Sequence, residues 1–159
     1  MTNTTTSKDL PTSERMKNGG DYLAKQAAAK YFFQENIRFI PFGIDSKIER
    51  PWELSDKTRN APDYLVIQPN LKIMLCELKG CAGDILNIKA KQIPLYCEWD
   101  KETPLMMFLN KSDTSQVAYI PFGEFMKNIY NLKFVNDEKM GMIYKIPTKD
   151  ITWESLNNS

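Results

Sequence analysis

The stretch "NAPDYLVIQPNLKIMLCELKG", residues 60–80, decides how this chain folds. Two apolar runs, about 63–68 and 72–78, are separated by Gln68-Pro69-Asn70, residue types that make a tight turn. They predict two adjacent antiparallel strands. Side chains alternate along a strand, so Ile73, Leu75, Glu77 and Lys79 share one face and Met74, Cys76 and Leu78 the other. Both faces are apolar as far as Cys76, the mark of a central strand covered on both sides. Charge begins only at the end of the run, with Glu77 and Lys79 roughly 7 Å apart between Cα atoms. Pro62 holds Ala61 extended on the approach to the first strand. A turn at 69–70 then sets Asp63 opposite Glu77 or close to it. Two carboxylates and one ammonium are expected to converge at one end of the sheet. There the strand leaves the core, and packing should not need their charge.

That arrangement suits a hard divalent ion such as Mg²⁺, which binds carboxylate oxygens, keeps some waters and docks on phosphate. A metal so held lowers the pKa of bound water and neutralises charge on a scissile phosphate. Lys79 can orient that water or stabilise the developing negative charge. The plain structural reading is a partly exposed Glu77–Lys79 salt bridge that solvates a strand end. The Pro62-Asp63 pair, the hairpin spacing and the apolar flanks favour the functional one.

Outward from the hairpin, "DYLAKQAAAKYFFQ" (21–34) has apolar residues at helical spacing: Leu23, Ala27, Ala28, Tyr31 and Phe32. Asp21 is placed to cap it and Asn36 to end it in a left-handed conformation. "IRFIPFGI" (37–44) reads as a strand, with Pro41 indicating an edge or bend. Residues 45–61 form a long polar excursion. "PLMMFL" (104–109) and "VAYIPF" (117–122) are further strands, and a short amphipathic helix from Gly123 aligns Phe125, Ile129 and Leu132. "GMIYKIP" offers a last strand. The order is helix, three strands, helix, two strands, helix: mixed α/β around a central sheet flanked by helices.

Composition narrows the chemistry. The 159 residues suit one domain, expected over 19–159 behind a flexible polar tail at 1–18. Net charge is +1, so any nucleic-acid surface must be a local cluster. Histidine is absent, which excludes His–metal sites and Ser–His triads. Cys76, Cys81 and Cys97 form no disulfide framework, which points to a reducing, cytoplasmic setting. They could ligate zinc only with an added carboxylate, so buried thiols are the expectation. No run is long enough to span a membrane, and no signal-peptide core is present.

Pro62-Asp63, thirteen intervening residues and Glu77-Leu78-Lys79 together resemble the signature of the PD-(D/E)xK nuclease superfamily. The element order resembles that superfamily's restriction-endonuclease-like core, α-β-β-β-α-β, over roughly residues 19–122. The resemblance implies Asp63 and Glu77 as metal ligands, the Leu78 carbonyl as a third, and Lys79 as the catalytic lysine. The cofactor would be Mg²⁺, with Mn²⁺ as a substitute. Gln92-Ile93-Pro94-Leu95-Tyr96 is similar to the QxxxY element of RecB-type nucleases, and the setting is nearest to Holliday-junction-resolvase-like members. Pro94 excludes a helix starting as early as Asp84 but fits a first turn if the helix starts near Ala90, which sets Gln92 beside the cleft.

The family often has one more acid on the first helix. Here Asp21 is the only acid near that helix start and Gln26 lies nearer the expected depth, so Asp21 is either a ligand or a cap. DNA is the implied partner, in recombination or repair. Arg59, Lys89, Lys91 and Trp52 are the leading contacts, with Lys47, Arg50, Lys57 and Lys72 as further candidates. The expected activity is metal-dependent endonucleolysis of branched or junction DNA. The alternatives are a sequence-specific restriction or nicking enzyme, and a non-catalytic DNA-binding or assembly module. Junction resolution needs two opposed cuts and hence a homodimer, for which Met106, Met107, Phe108, Met140, Met142, Ile143 and Tyr144 are candidate contacts.

Overall fold

The computed structural model of the chain describes residues 20–44, 53–81, 83–111 and 115–157. The expected tail at 1–18, together with Lys47, Arg50 and Trp52, lies outside the described residues. In chain order the elements are α1 (Gly20–Gln34), β1 (Arg38–Pro41), α2 (Asp56–Arg59), β2 (Tyr64–Ile67), β3 (Ile73–Cys81) and β4 (Ile85–Lys89). There follow α3 (Gln92–Glu102), β5 (Leu105–Lys111), β6 (Gln116–Pro121), α4 (Phe122–Lys127), β7 (Val135–Asp137), β8 (Gly141–Pro147), a 3₁₀ turn at Thr148–Asp150 and β9 (Glu154–Ser155).

The 60–80 stretch folds as the hairpin its sequence predicts. The Gln68 N–H donates to the Lys72 carbonyl (2.9 Å) and the Leu71 N–H to the Gln68 carbonyl (2.8 Å). Leu71 leaves the turn in the left-handed region, at φ 66°. This turn fixes the register at Ile67 opposite Ile73 and Tyr64 opposite Cys76. One step further along, Asp63 meets the Glu77–Leu78 segment. β1 pairs outside β2 as the sheet edge, where Pro41 is tolerated. β5 lies parallel to β3 on its other side, with β6 and then β9 beyond it.

Two layers cover this six-stranded mixed sheet. On one face Ala24, Ala28 and Phe32 of α1 pack on Val66, Cys76, Leu78, Met106 and Phe108. The two alanines present little side-chain bulk to the sheet. On the other face Leu75, Met107 and Leu109 meet Ile93 and Tyr96 of α3, Phe125 of α4, and Leu86, Ile88 and Ile146 of a second sheet. Burying a Phe or Leu completely, as at Phe108 and Leu105, stabilises by about 2–3 kcal/mol each.

Several expectations change. β3 runs on to Cys81, so Glu77 and Lys79 stand inside the strand and not at its exit. Residues 85–89, expected only to lead into a helix, form β4, which pairs with β8 and through it with β7 as a separate three-stranded sheet. α3 starts at Gln92, two residues beyond Ala90, and Pro94 falls in its first turn. α1 starts at Gly20, so Asp21 lies within its first turn and does not precede it as a cap. Asn36 does take a left-handed conformation, at φ 54°. Met106, Met107 and Phe108 are core residues because β5 is central, and Ile143 is buried too. Of the apolar residues expected at an interface, Met140 and Met142 are exposed. Cys76 and Cys81 belong to opposite faces of the sheet, which rules them out as joint ligands of one ion. Among the described residues no helix is long and apolar enough to cross a membrane.

Candidate active site

Asp63 is fixed from both sides. Its carbonyl receives the N–H groups of Phe42 (2.9 Å) and Gly43 (3.2 Å), which brings the end of β1 against it. Its Oδ2 accepts the N–H of Leu78 at 2.8 Å. The first contact requires glycine. A Cβ on Gly43 would lie 3.0 Å from the Pro62 oxygen, 3.3 Å from the Ala61 oxygen and 3.4 Å from the Asp63 Cα, all of them backbone atoms. Gly43→Ala should therefore displace Asp63. The expected result is a stability loss of about 1 kcal/mol in urea unfolding and weaker divalent-ion binding by calorimetry.

Glu77 sits across the hairpin and is only 6% exposed. Its Oε1 accepts the Tyr96 hydroxyl at 2.6 Å and the Lys79 ammonium at 2.7 Å. Burial pushes its carboxyl up to about 7 against the pull of Lys79, and the charge of Asp63 adds to the rise. Both donors fall on Oε1. Tyr96 follows Gln92 by four residues on α3, which sets both on the same side of that helix. Tyr96→Phe removes the hydroxyl from a carboxylate that is largely ionised at pH 8 and protonated at pH 5. Its thermal destabilisation should be larger at pH 8, by about 1–2 kcal/mol.

The cavities join these groups. A cleft of about 520 Å³ is lined by Asp63, Glu77, Gln92, Tyr96, Lys25 and Arg59, among others. A smaller cavity of about 130 Å³ holds Lys25, Asp63, Glu77, Leu78 and Lys79. The structure thus brings Asp63, Glu77, Leu78, Lys79 and Gln92 together. The remaining sequence candidates scatter. Arg59 reaches the cleft rim while ion-paired to Asp56. Lys57 pairs with Glu102 and covers the Trp99 ring at 4.7 Å. Lys91 is exposed at the start of α3, and Lys72 stands at the far end of β3. Lys89 lines a second groove, described below.

Sequence reasoning missed Lys25, which lines both cavities. Gln26, expected at the functional depth of α1, instead donates to the Tyr22 hydroxyl on the exposed side. The clue was Ala24 and Ala28: with those two on the sheet, their neighbour Lys25 must stand at the flank of the helix. The sequence motif assigns Tyr96 no role, whereas in the structure its hydroxyl donates to Glu77.

The donor set bears on metal binding. Among the described residues no group of three or more Asp, Glu, Cys or His could enclose an ion. Two carboxylates with a main-chain carbonyl suit an ion that keeps most of its water, the habit of Mg²⁺ and not of zinc. Glu77 fits that use, with Asp63 beside it in both cavities. No protein-family model matches this chain, and no curated protein matches it.

Proposed function

We propose that this chain is a Mg²⁺-dependent DNA endonuclease with a restriction-endonuclease-like core, similar to the junction-resolving members of the PD-(D/E)xK superfamily. The observation that supports this most is the cross-strand meeting of Asp63 and Glu77 in a cleft, with Lys79 against Glu77. The order α1-β1-β2-β3-α3-β5, with β3 and β5 parallel neighbours, is that expected of such a core, with α2 and β4 inserted.

Asp63 and Glu77 would hold Mg²⁺ or Mn²⁺ with the Leu78 carbonyl. The bound ion would supply Lewis acidity and a bound water of lowered pKa. Lys79 places its ammonium where negative charge grows on the phosphate and, through Glu77, holds that carboxylate toward its charged form. Tyr96 orients Glu77, and Gln92 lies beside the pair for contact with substrate or water. Lys25 adds positive charge along the cleft, the contribution a polyanionic strand requires, and Arg59 stands at its rim paired to Asp56.

Labelled linear, single-stranded, flapped and four-way DNA, each incubated with and without Mg²⁺, test the reading. Metal-dependent cutting of the branched DNAs is expected, with EDTA stopping it. Cutting confined to particular sequences in linear duplex would favour a restriction or nicking enzyme, and binding with no cutting a non-catalytic module. Resolution of the four-way DNA also requires two copies of the site, so sedimentation at micromolar protein should find a dimer on that substrate.

A further inference from the structure

Behind Lys79 lies a second groove, of about 530 Å³, between β3, the second sheet and the start of α3. It is not separate from the acid cleft: Gln92 lines both, and Lys79 joins the groove to the small cavity that holds Asp63 and Glu77. Its described lining has no carboxylate and includes Lys89 and, at the end toward the acid cleft, Lys79, which is ion-paired to Glu77. The opposite wall is of another kind. β4 turns Leu86 and Ile88 into the core and leaves Ile85 and Asn87 outward, Ile85 being 46% exposed. Met140, 37% exposed, comes from the turn between β7 and β8. That turn is held in place. Asp137 Oδ1 accepts the amides of Lys139 and Met140, each at 2.9 Å, and Gly141 closes it at φ 76°.

An exposed apolar wall facing a cationic edge, with no acid between, matches a polyanion that also displays apolar faces. In a duplex the base faces are stacked away, and a protein meets phosphates, sugars and base edges. In an unpaired strand the faces are free to lie on side chains while cations follow the backbone. We propose that this groove binds an unpaired nucleic-acid strand continuous with the one in the acid cleft. Lys89 takes its phosphates, Ile85 and Met140 its base faces, and Asn87 a base edge, while Lys79 marks the end of the groove that opens on the acid cleft. The route of the strand into the acid cleft rests on the nuclease reading, but the binding does not. It gives a physical reason for preferring branched or flapped DNA, in which a single strand leaves the duplex beside the cut.

Fluorescence anisotropy in EDTA, with the full chain and labelled oligothymidylate or blunt duplex of equal length, tests this without any cleavage. The single strand should bind about tenfold more tightly than the duplex, the gain from covering roughly 55 Å² of apolar surface at Ile85 and Met140 with unpaired base faces. Lys89→Ala should weaken single-strand binding about fivefold at 0.1 M salt and lower the log–log salt slope by about 0.7, the loss of one phosphate contact. Met140→Glu, at an exposed turn where folding should be unaffected, should weaken single-strand binding more than duplex binding. Equal affinity for both DNAs, or single-strand affinity unchanged in both variants, would overturn the proposal. Single-strand binding that depends on Lys89 and Met140, with no Mg²⁺-dependent cutting of any DNA, would uphold the groove and remove the nuclease reading instead.

Discussion

Glu77→Gln should leave a folded protein that no longer cuts DNA, and in metal-free buffer at pH 8 it should melt above the parent. The loss of cutting follows from removing one of the two proposed anionic ligands. The gain in stability follows from burial. Glu77 has a folded-state pKa of about 7 against an ordinary 4.5, so the folded protein binds its proton more tightly than the unfolded chain. Stability from this source is complete below about 4.5 and is lost as pH rises through 7. At pH 8 the parent carries a buried carboxylate that the glutamine variant lacks, a difference on the order of 3 kcal/mol at most. Melting curves in EDTA from pH 5 to 8 should therefore fall more steeply for the parent than for the variant. Parallel curves would mean that Glu77 ionises without cost. Asp63→Asn should also abolish cutting, and it should lower the Glu77 pKa by removing a neighbouring charge.

The second large effect is expected at Lys79. Lys79→Ala should slow the single-turnover rate by about a hundredfold or more, the scale on which one group stabilising transition-state charge acts. Metal affinity should fall far less than in the carboxylate variants, because an ammonium is no ligand. The ion pair with Glu77 adds a signature. Without Lys79 the Glu77 carboxyl loses the partner that pulls its pKa down, so metal binding should require higher pH. A variant whose rate at saturating DNA is unchanged and whose DNA affinity alone falls would make Lys79 a phosphate anchor.

The 60–80 stretch was legible because its register is local. A turn at Gln68-Pro69-Asn70 leaves few ways to pair the flanking strands, so Asp63 and Glu77 could be set across from each other without any knowledge of the rest. The burial of Glu77 was not legible. Its cover comes from Tyr96 on α3, an element whose position against the sheet no local pattern gives. Met106, Met107 and Phe108 show the same limit. An apolar strand suits a core or an interface equally, and only the placing of β5 between β3 and β6 decides for the core. The second sheet was the largest omission. Isoleucine, leucine and isoleucine in "ILNIK" interleave buried and exposed positions, but the strand's partner is β8, more than fifty residues on. Such long-range pairing leaves little trace in either segment alone.

Asp63 and Glu77 are proposed to form one metal site for phosphodiester cleavage. Its most direct test is the Mg²⁺-dependent cleavage of labelled four-way and flapped DNA by the parent, Asp63→Asn and Glu77→Gln, prepared and assayed side by side. Cutting by the parent that EDTA abolishes is expected, and none by either variant although both remain folded. Cutting by both variants at the parental rate would contradict it.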